Sequence, residues 1–443
     1  PLKSEIDERK AKKMFQGSVK IMPSGDGGVR ASAAACRIST SEGTALDAFA
    51  KGGDRAKDLK LIGKVLSSGH YTVAEHAYFT VAFNNVSVLT EQLMIEHRLA
   101  AYTVKSRRYV DFSGAGYVVP EGLGEEEQAY RAHMDYLFGV YTRLVQMGVP
   151  IEDARFVLPY CFRSNFIMSC DARELSCMAH EMAEGRLSAY PEMKYLGGML
   201  SGQLEEVFPG ATKAFVKRRE DGTAPLSPIR IGEPAAAAQS VELVFAPSDP
   251  DALLRTAKAA SGRGNVPLRS LVRGDRPREL EMLNYIFRVK GVSLACVTHF
   301  TRHRIQSLIV PAPYTALAEN TYVLPASVKA NPEALSLYTE AFAVNAAAAR
   351  AYAARPELLG YFALAGCTVD ILFGMNAREL LHFLRLRTCA RAQWEIRDAA
   401  NEMLSLLMEE YPALFRYYGP SCAVLGYCPE GRLSCGKPRK TEE

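Results

Sequence analysis

Polar and apolar residues alternate along positions 78–86 and again along 283–289. This period of two predicts a strand with one buried face in each place. Each strand runs directly into text with helical spacing, which predicts helices over 88–101 and 293–305. Longer amphipathic stretches follow at 125–147, 171–185, 333–353 and 376–409. Strands and long helices interleaved in this way predict an α+β protein built on mixed sheets.

The same order of elements occurs twice, and so do the residues. Glu75, Ser87 and His97 recur as Glu281, Ser293 and His303, each 206 positions further along. Downstream, Asp171-Ala172-Arg173-Glu174-Leu175 is answered by Asn376-Ala377-Arg378-Glu379-Leu380 at a spacing of 205, so one residue is lost between the two pairs. The edges match more loosely, with VKIMPSGD before Ser39 answering VELVFAPSDPD before Ser261. A repeat this long marks a duplicated domain. Residues 1–218 and 241–418 are the two copies. Residues 219–240, rich in Pro, Gly and Ala without amphipathic period, form a linker, and 419–443 form a tail.

Composition narrows the possibilities. The 443 residues are 48% hydrophobic and 23% charged, enough for two packed cores. A net charge of +4 provides no nucleic-acid or membrane surface, and the one basic run, Lys217-Arg218-Arg219, is broken at once by Glu220-Asp221. No stretch of about 18 apolar residues predicts a membrane span, and the N-terminal text has no apolar signal region, so the expected location is the cytoplasm. Seven of ten cysteines are scattered through core-like text, as reduced residues are. Cys422, Cys428 and Cys435 cluster among turn residues. Three thiolates could support a zinc or other soft-metal site, but with no obvious fourth ligand nearby and no C-x2-C spacing the reading favoured is a reduced structural tail, and no metal is assigned.

The chemistry concentrates at the strand-to-helix junctions. Six of eight histidines (His70, His76, His97, His299, His303 and His382) fall in the repeated polar segments. Arg302-His303-Arg304, with Arg387 later, places guanidinium groups among apolar neighbours, a pattern suited to an anionic ligand. Gly69-His70-Tyr71-Thr72-Val73-Ala74-Glu75-His76, then His97-Arg98 with seven residues to Ser106, resembles the ThyX family of flavin-dependent thymidylate synthases. Their signature is R-H-R, seven residues, then S. Ala154-Arg155-Phe156-Val157-Leu158-Pro159, Asn376-Ala377-Arg378, His382 to Arg387, and Gln393-Trp394-Glu395-Ile396 continue the resemblance through both copies.

The departures are distributed unevenly. The first copy has Glu96 for the opening Arg, Asp171 for Asn, Cys177 for a polar residue and Met182 for the late Arg. The second has Ala312 for the signature Ser, Tyr314 for the next Arg, Gly360 for the Arg of A-R-x-x-L-P, and Asp275-Arg276-Pro277-Arg278 in place of the G-H-x-T-x-x-E-H text. Each copy keeps what the other lost. The family is a homotetramer with sites shared between subunits. The resemblance therefore implies a fused pseudo-dimer that retains one composite site per chain, and a homodimer of chains imitating the tetramer. It implies that Val104, Lys105, Ser106, Arg107, Arg108 and Arg155 bind dUMP from one side and His299, Arg302 and Arg387 from the other. Arg387 in this reading stabilises the ionised uracil N3. FAD is implied at Ser39, Thr72, Glu75, Arg302, His303, Arg304, Asn376, Ala377, Arg378 and His382. NADPH and methylenetetrahydrofolate are the implied co-substrates. Thr103, Val104 and His299 depart from the family near the pyrimidine, which leaves open another pyrimidine nucleotide or one-carbon unit; a non-catalytic flavin or nucleotide scaffold is the third reading.

Overall fold

The computed structural model describes residues 17–22, 25–210 and 226–438. The basic run at 217–219 and the first part of the expected linker, 219–225, lie outside them. Two compact units emerge: Pro1–Arg230 with Ser336–Ala363, and Ile231–Leu335 with Leu364–Glu443. The segment Ser336–Ala363 thus comes from the second repeat and belongs to the first unit.

In the first unit, β1 (Ser18–Ile21), β2 (Tyr78–Ser87), β3 (Ala101–Val104) and β4 (Arg163–Asp171) form a sheet in the order β1-β2-β4-β3. In the second unit, β5 (Ala235–Ala236) and β9 (Thr321–Tyr322) make a short parallel pair. β6 (Ser240–Phe245), β7 (Asn284–Ser293), β8 (Ser307–Ile309) and β10 (Thr368–Asn376) repeat the four-stranded sheet in the order β6-β7-β10-β8. Every pairing within the two four-stranded sheets is antiparallel, so the mixed direction expected of the strands is confined to β5 and β9. β5 also shows that the text expected to be linker holds paired backbone.

The two sheets share a register. Tyr78 faces Asp171 and Asn284 faces Asn376, and both central pairs break step at one bulge. The bulge places Asn85 at φ 53° and Gly291 at φ 64°, equivalent positions filled by residue types that tolerate the left-handed region. At Gly291 a Cβ would also lie 2.8 Å from the Ala238 carbonyl oxygen. Aromatic pairs fill the inner faces: Phe83 stacks on Phe166 with ring centres 4.4 Å apart, and Phe373 meets both Phe287 (5.9 Å) and Phe300 (5.2 Å).

Helices α1 (Val88–Met94), α2 (Glu127–Gln146), α3 (Ala172–Ala183) and α4 (Pro191–Val207) belong to the first repeat. Helices α5 (Leu294–Phe300), α6 (Pro332–Arg350), α7 (Ala377–Arg387) and α8 (Trp394–Glu410) belong to the second. α1 and α5 are half the length that the periodicity predicts. The chain must reverse after them so that β3 and β8 can lie antiparallel to β4 and β10, and the His97 and His303 segments form that turn. The helix expected over 376–409 is two helices. Thr388 at the end of α7 turns its hydroxyl back to the Leu384 carbonyl (2.6 Å), and the Gln393 side chain accepts the Ile396 N–H (3.1 Å) to start α8. Within the first unit, α2 is joined to the second-repeat segment by His133 and Asn345 (2.9 Å), an Arg355–Glu126 ion pair and the edge-on rings of Tyr130 and Phe362.

Both strand-to-helix junctions are clamped alike. Ser87 and Ser293 cap α1 and α5 by accepting the Thr90 and Cys296 N–H groups (3.0 Å each). A buried carboxylate reaches each serine from a distant helix. Glu192 accepts from the Ser87 N–H (2.8 Å) and hydroxyl, and Glu395 from the Ser293 N–H and hydroxyl (2.6 Å each). Among the described residues no helix is long and apolar enough to cross a membrane.

Candidate functional site

In the second unit the turn after α5 alternates in exposure: Arg302 and Arg304 face outward while His303 between them is 4% exposed. The His303 N–H closes the turn on the Phe300 carbonyl (3.0 Å), and the Gln306 side chain reaches the same oxygen. This turn aims the imidazole at α7, where Glu379, Phe383 and Arg387 recur every fourth residue on one face. His303 Nδ1 lies 3.2 Å from Glu379 Oε1, and Arg387 Nε donates to His303 Nε2 at 3.0 Å. A second donor of the same guanidinium, Nη2, reaches the carbonyl of buried His299 at 3.2 Å.

These bonds fix the protonation of the ring. Because Arg387 can only donate, His303 Nε2 must be the lone-pair nitrogen and Nδ1 the N–H directed at Glu379. Burial, with Arg387 and His382 nearby, pushes the His303 pKa down to about 2, so the ring is neutral at ordinary pH. Burial also raises the Glu379 carboxyl, opposed by His382 and Arg378. These two anchors of Arg387, an imidazole lone pair and a backbone carbonyl, are uncharged.

The remaining second-unit candidates surround this core. Asn376 caps α7 by accepting the Glu379 N–H (2.9 Å). The Ala377 N–H is already bound to the Leu283 carbonyl (2.7 Å). Arg378 pairs with Glu281, and exposed His382 sits edge-on to His303, 5.6 Å between ring centres.

The first unit brings Val104 to Arg108 and Arg155 together where β3 leaves the sheet. The Lys105 N–H binds the Asn165 carbonyl (3.1 Å), and its ammonium lies 5.3 Å over the Phe112 ring. The Ser106 hydroxyl accepts the Arg108 N–H (3.3 Å). Buried Arg107 pairs with fully buried Glu91 (3.0 Å), Arg108 with Glu152 (2.8 Å), and Arg155, 3% exposed, donates to the Glu152 carbonyl (3.0 Å). Glu152 therefore holds two of the candidate arginines, one through its side chain and one through its backbone. Val104 ends β3, half-buried. Thr72 and Glu75 lie on a separate short helix, Tyr71–His76, exposed, with Glu75 paired to Arg173 (2.6 Å) as Glu281 is to Arg378. Ser39 ends the helix Val29–Ile38, its hydroxyl turned to the Cys36 carbonyl (3.4 Å).

Sequence reasoning missed Glu91 and Glu152, and it quoted Glu379 and Glu395 within motifs without giving either a role. Glu152 precedes Arg155 by three residues and Glu379 precedes Arg387 by eight, so helical spacing could have flagged both. Glu91 and Glu395 act across long sequence separations and leave no local signal.

The first-repeat equivalent of the His303 turn is electrostatically inverted. His97 Nδ1 lies 3.6 Å from Glu174 and Nε2 3.6 Å from Glu181, while the position of Arg387 is taken by buried Met182. Burial lifts the neighbouring Glu96 carboxyl to about 7. In the tail, Cys422 and Cys428 are half-buried and Cys435 exposed, and none of the ten cysteines forms a disulfide. Among the described residues no group of three or more His, Cys, Asp or Glu is arranged to hold a metal.

The model of the family "Thymidylate synthase complementing protein" matches residues 20–210 and 234–413, most of the chain and one match per repeat. A flavin-dependent thymidylate synthase of Clostridium tetani is 36% identical over 178 residues, covering 36% of this chain and 71% of the relative. One of Geobacter sulfurreducens is 38% identical over 164 residues, covering 36% and 70%. The solved structure of a UMP/dUMP methylase, PolB, from Streptomyces cacaoi is 22% identical with a TM-score of 0.38, covering 45% of this chain and 94% of that one, too loose a likeness to bear on substrate. With a family match in each repeat and relatives of this identity, the chain belongs to the thymidylate synthase complementing protein family, the flavin-dependent thymidylate synthases.

Proposed function

We propose that this enzyme reductively methylates dUMP to dTMP, taking its carbon from methylenetetrahydrofolate and its reducing equivalents from NADPH through FAD, and that residues of both repeats are required. The observation that carries the reading is the anchored Arg387. Its plane is set along the Nε–Nη2 edge by two uncharged groups. A guanidinium held in this way has a fixed orientation, and beside the uracil imide it would favour the N3 anion and so enrich C5 as a nucleophile. At a separation of about 4 Å and an effective dielectric of about 20, one such contact contributes on the order of 4 kcal/mol.

The exposed Arg302, Arg304 and His382 offer charge and hydrogen-bond donors of the kind a flavin pyrophosphate takes. Asn376 and Arg378 stand at the start of α7, and Ser39, Thr72 and Glu75 are the first-repeat candidates for the same cofactor. When bound, FAD would supply the redox chemistry and the passage of the carbon. Ser106 serves as a binding hydroxyl, and Lys105, Arg107, Arg108 and Arg155 as the cationic side of nucleotide recognition, with Val104 and His299 bordering the base. Holding Arg107 against Glu91 and Arg108 against Glu152 preorganises these forks. The fused repeats favour a homodimer of chains in solution.

The test is tritium release from [5-³H]dUMP by FAD-loaded protein with NADPH and methylenetetrahydrofolate, comparing wild type with Arg155→Ala and Arg387→Ala. Release by wild type, lost in each variant, is the expected result. No release from flavin-loaded wild type would redirect the assignment to another pyrimidine nucleotide, and failure to hold flavin would favour the scaffold reading.

A further inference from the structure

We propose that Glu379 and His303 are positioning residues for Arg387: a carboxylate–imidazole–guanidinium relay, buried at its centre, that sets the guanidinium for the nucleotide. The inference rests on the reading of Arg387 given above. It follows from three observations within the second unit. Glu379 and Arg387 lie two turns apart on one face of α7, about 12 Å along the axis, too far for either to fix the other. The His303 ring enters between them from the turn after α5 and bonds to both. Its environment keeps it neutral, so one nitrogen must donate and the other accept, and the direction of the relay is set: Glu379 takes the Nδ1 proton and Nε2 takes Arg387 Nε–H.

The physical effect is orientation. A carboxylate behind Nδ1–H draws electron density through the ring and strengthens Nε2 as an acceptor, as carboxylates behind metal-bound imidazoles do. With the His299 carbonyl holding Nη2, the guanidinium is pinned at two of its corners, and its rotation about the Cδ–Nε bond is suppressed. An unpinned arginine would lose much of its stabilisation to side-chain entropy each time it met the nucleotide.

The first repeat shows what the same scaffold does without the arginine. Glu174 and His97 keep their places, yet with Met182 at the arginine position the histidine sits 3.6 Å from Glu174, its side chain 14% exposed, against 3.2 Å and 2% for His303. Its Nε2 faces Glu181 (3.6 Å). The tight carboxylate contact and the burial of the ring accompany the arginine, as expected if the ring is there to hold it.

The experiment is a double-mutant cycle of Glu379→Gln and Arg387→Gln, with flavin content per chain measured for every variant and [¹⁵N]histidine spectra of wild type and each single variant. Glu379→Gln keeps one acceptor oxygen in a side chain of the same shape, exchanging the other for an NH2 group and removing the charge. It is expected to lower kcat about 10- to 100-fold, the cost of weakening a charge-assisted hydrogen bond, with flavin content unchanged. In the Arg387→Gln background it is expected to change kcat less than twofold. The histidine spectrum should show one imidazole in the Nδ1–H tautomer that persists to low pH in wild type and becomes a mixture of tautomers in Arg387→Gln. Additive losses in the cycle, or flavin loss in Glu379→Gln, would overturn the relay, since a purely structural or cofactor-holding glutamate would behave in those ways. If wild type releases no tritium from dUMP, the functional reading falls, and the nitrogen signals alone decide the relay: an Nε2–H tautomer in wild type overturns it.

Discussion

Replacing Glu395 with Ala should unseat the helix that carries the site, and the duplicated fold supplies its own control. The Glu395 carboxylate accepts two bonds of 2.6 Å from Ser293, one from the backbone N–H and one from the hydroxyl that caps α5. Deleting it leaves the buried Ser293 N–H unsatisfied, at about 1–3 kcal/mol, and weakens the cap, at about 0.5–2 kcal/mol. A total of about 1.5–5 kcal/mol is a large share of the 5–15 kcal/mol that typically separates folded from unfolded protein. Glu192→Ala removes the same clamp from Ser87 and should cost a similar amount. The consequences for function differ, because α5 leads into His299, Arg302 and His303, whereas α1 leads into Glu96 and His97. Urea unfolding would measure both costs through the midpoint at constant slope. Flavin content, measured well below the unfolding midpoint, should fall in Glu395→Ala and stay near wild type in Glu192→Ala, whereas nucleotide affinity should fall in both, because α1 carries Glu91, the partner of Arg107. A cost below about 1 kcal/mol for either substitution, or equal losses of flavin in both, would refute the reasoning.

Further expectations follow from the contrast between the repeats. Flavin-loaded protein should hold one FAD per chain by absorbance against protein concentration, because Glu96 and Met182 replace the cations of the second copy; two per chain would contradict the inversion at His97. Gly291→Ala should destabilise by about 1–3 kcal/mol in thermal unfolding, given φ 64° and a carbonyl oxygen 2.8 Å from the new Cβ, whereas Asn85→Gly, at φ 53°, should be nearly neutral. Glu96 has its carboxyl raised by burial from 4.5 to about 7. The folded state therefore keeps a proton that the unfolded state releases, and the associated stability is present below about pH 4.5 and lost as pH rises to about 7, by at most about 3 kcal/mol. Glu96→Gln should remove that decline, so the gap between variant and wild-type stability should widen from pH 5 to pH 7.5; a constant gap would show that Glu96 titrates normally.

How much of this was legible in the sequence depends on the distance over which each residue acts. Strands β2 and β7, their junctions with α1 and α5, and the duplication were readable because periodicity and repeat spacing are local signals, whereas the other strands carried no such alternation. The lengths of α1 and α5 were not readable, since what ends them is the need of β3 and β8 to reach β4 and β10, a tertiary demand that overrides helical text. The division at α8 was likewise hidden: the new helix start lets Glu395 reach Ser293, a hundred residues away. Among the site residues, the sequence pointed to the cations and passed over the carboxylates that hold them. Arginines bracketed by apolar text are conspicuous, but which group holds each one depends on tertiary contacts. Arg107, Arg108 and Arg378 each meet a glutamate, while Arg387 is anchored by a histidine lone pair and a carbonyl. That difference arises only when the turn after α5 folds against α7. The divergence of the repeats has the same origin. One substitution, Met182 at the position of Arg387, removes the group that makes a neutral buried imidazole worth holding, and at His97 the pocket has filled with carboxylates that an anionic ligand would not tolerate.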